Sequence, residues 1–182
     1  MDAFLDETTN LLRRTPVVIR ALLETLPETW TDTPDVDGGW RPRDVVGHLI
    51  SAELDDWIPR VRRILEDGTS QAFDPFDRFA HIERDRDATL DDLVARFAGL
   101  RTKSLAALAS SVGASDLDRR GLHGSLGEVT LRELLATWSV HDLDHISQIF
   151  AGLAGSRDTD VGVWKAYLGI LLRRDDPSAV PG

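Results

Sequence analysis

The 182-residue sequence contains no cysteine. Disulfide bonds, thiolate metal sites and cysteine nucleophiles are therefore excluded. The sequence also lacks an apolar run of the roughly 18 residues that a membrane span needs. Its N-terminus carries acids where a signal peptide would begin with bases. These absences predict a cytoplasmic protein that crosses no membrane.

Positive charge is in the minority, because 21 Lys and Arg stand against 31 Asp and Glu, which gives a formal net charge of −10. Such an acidic surplus repels the phosphate backbone of nucleic acids. The paired arginines are scattered along the chain with acids between them, which indicates solvated helix faces: Arg13/Arg14, Arg62/Arg63, Arg119/Arg120 and Arg173/Arg174. We therefore expect no nucleic-acid partner.

Hydrophobic residues make up 42% of the chain, which is enough for one packed core. We expect one helical domain over residues 1–174 and a C-terminal tail over 175–182. Apolar residues recur at helical spacing almost throughout. This periodicity predicts main helices over 2–26, 42–66, 89–112 and 130–152, and a short apolar helix over 161–172 that packs on the bundle.

Prolines, capping residues and glycines within this pattern refine the predicted helix boundaries. Pro16 and Pro59 predict a kink and a bend in the first two helices. Thr89 and Thr130 are expected to cap the third and fourth helices. The glycine-rich stretch 121–129 carries the one β signal and predicts a short hairpin-like turn. The fold class is therefore all-α.

The connection 67–88 is too long to join neighbouring antiparallel helices by a simple hairpin. It predicts a crossover between helices 2 and 3 of a four-helix bundle. Because the connection carries Phe73, Phe76 and Phe79, we expect it to cover another part of the protein.

The histidines carry the clearest chemical signal. His141 and His145 are four residues apart on a predicted helix, which places both imidazoles on one face, as two ligands of one metal require. His48 lies among apolar residues of the second helix, where a satisfied core histidine is the alternative. If those helices face each other, the three histidines form a metal site with one open coordination position. His81 and His123 are expected to be exposed in connections.

Other side chains complete this expectation on spacing alone. Asp44, Ser51, Asp144 and Gln148 are candidates to hydrogen-bond the metal ligands. Trp57 and Trp138 are expected to wall an apolar substrate.

Several catalytic patterns are absent. Asp142 stands where a zincin peptidase has glutamate, no phosphate-binding glycine loop is present, and no serine lies in a nucleophile elbow. Helical Glu-x-x-His pairs of the di-iron type are missing too. No catalytic residue and no organic cofactor site is assigned from the residues.

Three stretches together resemble the DinB-like superfamily, which includes the YfiT-like metal-dependent hydrolases. They are GGWRPRDVVGHLISAE (38–53), LGEVTLRELLATWSVHDLDHISQI (126–149) and VGVWKAYLGIL (161–171). The resemblance implies a DinB-like four-helix bundle and a metal triad of His48, His141 and His145. Arg41 replaces the usual capping serine and Asp44 the usual glutamate.

The resemblance also implies a divalent metal, with nickel or zinc favoured. Characterised relatives include thiol S-transferases and a mycothiol-dependent isomerase. We therefore expect a thiol S-transferase-like enzyme that activates a metal-bound thiol or water for attack on a small molecule, with a low-molecular-weight thiol as cosubstrate. The alternatives are a metal-dependent hydrolase and a non-catalytic, stress-related helical bundle. A homodimer is expected, because five Trp residues are many for this length and the apolar helix 161–172 is able to cover a partner. The resemblance favours the same expectation, since relatives often pair.

Overall fold

The computed structural model describes residues 2–172. Its helices are α1 (Ala3–Leu23), α2 (Glu28–Thr31), α3 (Pro42–Asp55), α4 (Trp57–Glu66), α5 (Ala80–Arg84), α6 (Leu90–Ser111), α7 (Leu131–Gly155) and α8 (Gly169–Leu172). Short 3₁₀ helices cover Ala114–Asp116 and Gly162–Tyr167, and strands β1 (Arg120–His123) and β2 (Gly127–Thr130) pair antiparallel. No helix in residues 2–172 is both long and apolar enough to cross a membrane. The predicted boundary between residues 174 and 175, and the tail, lie outside the described residues.

Side-chain caps fix where the long helices begin. The Asp92 amide donates to Thr89 Oγ1 at 3.1 Å, and the Glu133 amide donates to Thr130 Oγ1 at 3.2 Å. Glu133 in turn accepts from the Thr130 amide at 2.7 Å, which completes a capping box. Both predicted caps are confirmed, and the second one starts the helix that carries two of the histidines.

The predicted helix 42–66 is interrupted at Asp56, between α3 and α4. Pro59 explains the position, since a proline has no amide hydrogen to donate to the carbonyl four residues earlier, and its ring clashes with that carbonyl. By contrast α1 continues through Pro16 and ends at Leu23 rather than at residue 26, just before Thr25 adopts a φ of +64°.

The order of core residues gives the direction of each main helix. One cluster of buried side chains includes Leu12 of α1, Trp57 of α4, Leu108 of α6 and Leu135 of α7. A second cluster includes Ile19 of α1, Val45 of α3, Leu93 of α6 and Ile149 of α7. Thus α1 and α7 run from the first cluster to the second, whereas α3–α4 and α6 run in the opposite direction. Packed neighbours α3 and α6 are parallel, so the connection between them has to return along the length of the bundle, as a long crossover does.

The crossover and the hairpin support each other on one side of the bundle. The Phe73 amide donates to the Leu122 carbonyl of β1 at 2.9 Å, and the Phe73 ring is buried. The predicted hairpin is confirmed, and β2 leads directly into α7. This arrangement connects the long crossover to the start of the helix that carries His141 and His145.

The predicted packing of residues 161–172 on the bundle is confirmed for α8, which contacts α7, and is wrong for Gly162–Tyr167. The segment forms a 3₁₀ helix and the single turn α8, and the side chains of Val163, Trp164 and Tyr167 are exposed by 88%, 69% and 82%. In a 3₁₀ helix residues i and i+3 share a face, so Trp164 and Tyr167 pack on each other, with ring centroids 6.2 Å apart. Leu171 is buried.

Candidate metal centre

Antiparallel packing of α3 on α7 brings the three predicted histidines together. His141 Nε2 lies 3.2 Å from His48 Nε2 and 3.0 Å from His145 Nε2. Their candidate ligand atoms all lie within 4.8 Å of one another. His48 and His145 are buried, and His141 is half-buried. We call these three residues the histidine triad.

Hydrogen bonds on the far side of two rings determine which nitrogens carry lone pairs. His48 Nδ1 donates to the Arg78 carbonyl at 3.3 Å, and His145 Nδ1 donates to Gln148 Oε1 at 2.6 Å. A neutral imidazole has a single N–H, so the Nε2 atoms of His48 and His145 present lone pairs to His141.

This arrangement leaves the triad electrostatically incomplete. His141 Nε2 has at most one hydrogen to donate. In at least one of its two close contacts, therefore, a lone pair on one nitrogen faces a lone pair on the other. His141 Nδ1 is buried and has no hydrogen-bond partner within residues 2–172. A cation among the three Nε2 atoms satisfies all of them, and tetrahedral ligation of zinc requires nitrogens about 3.3 Å apart. The observed separations therefore fit a divalent ion with three neutral nitrogen ligands.

Burial keeps the triad in the form that binds metals. Desolvation, followed by the neighbouring His145, lowers the pKa of His48 to about 3. Desolvation, followed by His145 and His48, lowers the pKa of His141 to about 2. Burial also lowers the pKa of His145. All three imidazoles are therefore neutral near pH 7, as ligation demands.

Two tryptophans form the floor beneath the triad. Trp57 and Trp138 stack with ring centroids 5.5 Å apart, and the edge of Trp57 meets His141 at 5.1 Å. Both are at most 3% exposed. The expectation that they wall a substrate is therefore wrong, because both belong to the core, where Trp57 contacts His141 and Trp138 stacks on Trp57.

A third tryptophan, which the sequence reasoning missed, covers the triad. The Trp40 ring lies 4.7 Å from His48 and stacks 6.2 Å from His145. It precedes His48 by eight residues, in the stretch that carried the family resemblance, and this was the available signal. Of the three predicted covering phenylalanines, Phe76 contacts His48 at 5.6 Å, and Phe79 contacts Trp40 at 6.0 Å. Phe73 packs against the hairpin instead.

Arg78 places a positive charge beside this cover. Its guanidinium lies 5.2 Å from the Trp40 ring and 5.3 Å from the Phe79 ring, and it forms no ion pair among the described residues. Its charge contributes to lowering the pKa values of His48 and His145. The exposed side of the site therefore favours an anion.

The prediction that His81 is exposed is wrong, since it is only 2% exposed. Helix α5 packs directly on α3 at Gly47, where an added Cβ would approach His81 Cδ2 to 3.1 Å. The His81 ring lies with its edge against Trp40, at 5.1 Å. His123 is half-buried in the hairpin and accepts from the Leu126 amide at 3.2 Å, apart from the triad.

Among the four residues expected to hydrogen-bond the ligands, Gln148 does so. Asp44 instead accepts from the Arg41 amide at 3.1 Å and so begins α3. Ser51 accepts from Arg84 Nη1 at 2.9 Å. Asp144 is exposed on α7, and its negative charge opposes the lowering of the pKa of His145 by burial.

Comparison with known proteins identifies related sequences and a related fold. Residues 11–149 match the family model of the DinB superfamily. The chain is 28% identical over 150 residues to a Bacillus subtilis protein named "Putative metal-dependent hydrolase YfiT", covering 79% of this chain and 81% of that protein. It is 31% identical over 144 residues to a Bacillus licheniformis protein also named as a "putative metal-dependent hydrolase", covering 77% and 80%.

A solved structure of YfiT from Bacillus subtilis, described as an unusual four-helix bundle, aligns with a TM-score of 0.71 at 25% identity. The alignment covers 82% of this chain and 86% of that one. The predicted helical architecture is thus confirmed.

Proposed function

The chain belongs to the DinB superfamily, and from that premise we propose that it is a divalent-metal-dependent enzyme with His48, His141 and His145 as the metal ligands. The observation that carries the proposal is the convergence of three Nε2 atoms, at 3.0 and 3.2 Å, with more lone pairs than hydrogens to satisfy them. Nickel and zinc suit imidazole ligands.

When bound, the ion supplies Lewis-acid chemistry, lowering the pKa of a thiol or a water so that it becomes a nucleophile near neutral pH. Residues of the chain orient and shield the site. The Arg78 carbonyl and Gln148 orient two of the imidazoles, and Trp40 and Phe76 exclude bulk water. The Arg78 guanidinium attracts an anionic reactant.

A low-molecular-weight thiol is the first candidate nucleophile, which makes the protein a thiol S-transferase acting on a small electrophile. Three neutral ligands leave the charge of a divalent ion uncompensated, and a thiolate is a suitable anion for nickel or zinc. The chain has no cysteine that would compete for the site. This function places the protein in the cytoplasm, where such thiols stay reduced.

Water is the second candidate nucleophile, which makes the protein a hydrolase. The names of the Bacillus subtilis and Bacillus licheniformis relatives favour this reaction.

The test is an assay of nickel-loaded and zinc-loaded protein with several thiols and a haloarene or bimane electrophile, alongside ester and amide substrates without thiol. An S-transferase gives a rate that needs both thiol and metal and is lost in His145→Ala. A hydrolase turns over without thiol. Equal background rates for wild type and His145→Ala on every substrate contradict both reactions.

We also propose a homodimer. Val140, Leu143 and Phe150 expose apolar side chains along α7, at 63%, 48% and 41%, and a second copy would cover them. Light scattering should return twice the chain mass, and replacing Leu143 with Ser should weaken the association. A monomer mass at high concentration contradicts the proposal.

A further inference from the structure

A buried ion network joins all four main helices directly beside the triad. Arg101 of α6 donates through Nε to Glu53 of α3 at 2.8 Å and through Nη1 to the Leu12 carbonyl of α1 at 2.8 Å. It also donates through Nη1 and Nη2 to both oxygens of Asp142 of α7, at 2.5 and 3.0 Å. The three ionic side chains are at most 2% exposed. We call these contacts the ion network.

Two aromatic rings contact the guanidinium of Arg101 and restrict its orientation. Its Cζ lies 5.0 Å from the Phe97 ring and 5.1 Å from the Trp138 ring. Trp138 in turn stacks on Trp57, which contacts His141. The fork-shaped pairing with Asp142 is directional, unlike the apolar contacts around it.

Stability alone is a poor reason for such a cluster. Removing charges from water costs several kcal/mol per ion, and well-packed apolar side chains of similar volume often serve a core equally well. A buried ionic cluster is better suited to selecting one relative position of the helices, because its hydrogen bonds fail when the helices slide.

We propose that Glu53, Arg101 and Asp142 are positioning residues that set the register of α3 against α7, so that the histidine triad converges on one ion. This inference rests on the proposed metal function. Asp142 follows His141 directly, and Glu53 follows His48 by five residues, so the network ties both ligand-bearing helices next to their ligands.

The short distances in the ion network and in the triad show why the position of α3 along α7 matters. A slide of one residue along a helix is 1.5 Å. Such a slide breaks hydrogen bonds of 2.8 Å at Arg101, and it separates Nε2 atoms that now lie 3.0 and 3.2 Å apart. Functional sites need their groups held within about 0.5 Å, which apolar packing alone does not guarantee.

The test replaces the ion network by an apolar one in the full chain, as Glu53→Leu/Arg101→Met/Asp142→Leu. We expect a folded protein with an equal or higher melting temperature. Its Zn²⁺ dissociation constant, measured against a chromophoric chelator, should rise at least about 10-fold. The absorption spectrum of Co²⁺ bound to the same variant should change in intensity and position.

The matched control is Asp56→Asn/Arg60→Met, which removes a 2.7 Å ion pair between the buried Asp56 and the half-buried Arg60. This pair lies within one stretch of chain and joins no two main helices. Its Zn²⁺ affinity should stay within about twofold of wild type. If the triple variant does not fold, Arg101→Lys tests the positioning role instead, because lysine keeps the charge but cannot form the forked bonds. We expect this variant to bind Zn²⁺ more weakly than wild type and to retain its helix content.

Outcomes separate this inference from the proposed function. The positioning role is overturned if the folded triple variant keeps the Zn²⁺ affinity and the Co²⁺ spectrum of wild type. If the triple variant does not fold, the same result in Arg101→Lys overturns it. Either result leaves the metal function intact. A wild-type protein that binds neither Zn²⁺ nor Co²⁺ overturns both.

Discussion

Two groups of polar side chains are buried side by side in this bundle, and they differ in how their hydrogen bonds are satisfied. In the ion network every nitrogen of Arg101 has an acceptor and both oxygens of Asp142 accept, and Glu53 Oε2 alone of the charged atoms has no hydrogen-bond partner within residues 2–172. In the histidine triad two lone-pair nitrogens face a third nitrogen that can donate to only one of them. Both groups span α3 and α7, and all their side chains are buried except the half-buried His141.

The difference indicates different roles. A buried network whose cation is paired with two carboxylates needs no further ion, and its value lies in fixing geometry. An unsatisfied group of polar atoms in a native protein calls for a missing partner, such as an ion. We therefore infer that one cluster of the bundle completes the fold, and we propose that a metal ion completes the other. The following experiments test that division, from the largest expected effect to the smallest.

Arg101→Ala should have the largest effect on stability. Removing one partner of a buried ion cluster leaves the carboxylates of Glu53 and Asp142 unpaired, so we expect a loss of about 3–5 kcal/mol in the free energy of unfolding. Urea denaturation of metal-free protein measures it. The comparison variant is His141→Ala, which should cost far less, since it removes an unsatisfied group. Equal losses in the two variants would contradict the division.

Acid should destabilise the metal-free protein through the triad. The folded state holds the pKa values of His48 and His141 at about 3 and about 2, whereas the unfolded state binds protons near 6.5. Below pH 6.5 the unfolded state thus binds more protons, and stability falls by about 1.4 kcal/mol per pH unit for each histidine. We expect a loss of roughly 2–4 kcal/mol between pH 7 and pH 5.

The control for this pH effect is the double variant His48→Ala/His141→Ala, measured over the same range. Subtracting the stability change of the double variant from that of wild type removes the contributions of other groups. One such group is Asp56: burial raises its pKa to about 6, so acid stabilises the folded state through this residue. A double variant that loses as much stability as wild type between pH 7 and pH 5 would show that the triad is not the source.

Gln148→Leu should weaken metal binding by about 10- to 100-fold while the fold is retained, because the amide oxygen orients His145 through its Nδ1 hydrogen. Isothermal titration with Zn²⁺ measures the change. Ser147→Ala, at the exposed neighbouring position of α7, is the matched control and should bind like wild type. Equal affinities for Gln148→Leu and Ser147→Ala would show that the hydrogen bond does not tune the ligand.

His123→Ala should have the smallest effect. This histidine lies in the hairpin, outside both clusters, and accepts from exposed amides of its own turn. We expect Zn²⁺ affinity within about twofold of wild type and a stability change within about 1 kcal/mol. Strong loss of metal in this variant would mean that the site is not confined to the triad.

Local sequence spacing predicted the part of the site that lies on one helix. His141 and His145 are one turn apart on α7, so their shared face follows from the helix period alone. Adding His48 required a second helix to face the first, and the family resemblance supplied that step. The same spacing also predicted Gln148, three residues after His145, as a hydrogen-bond partner of a ligand.

Tertiary contacts determined the parts of the site that the sequence did not predict. His81 was expected in solvent because it lies in a connection, yet Gly47 lets α5 pack on α3 and buries it. Trp40 and Arg78 cover the triad from two different connections, for which helical periodicity gives no prediction. Residues 161–172 were apolar enough to suggest packing, but 3₁₀ geometry turns their rings toward each other.

The most direct test of the central claim is a Co²⁺ or Zn²⁺ titration of protein prepared without a histidine tag, for wild type and for the three single alanine variants of His48, His141 and His145. We predict one ion per chain for wild type, and at least about 100-fold weaker binding in each variant. The claim would be contradicted by wild type that binds no ion, or by variants whose stoichiometry and affinity equal those of wild type.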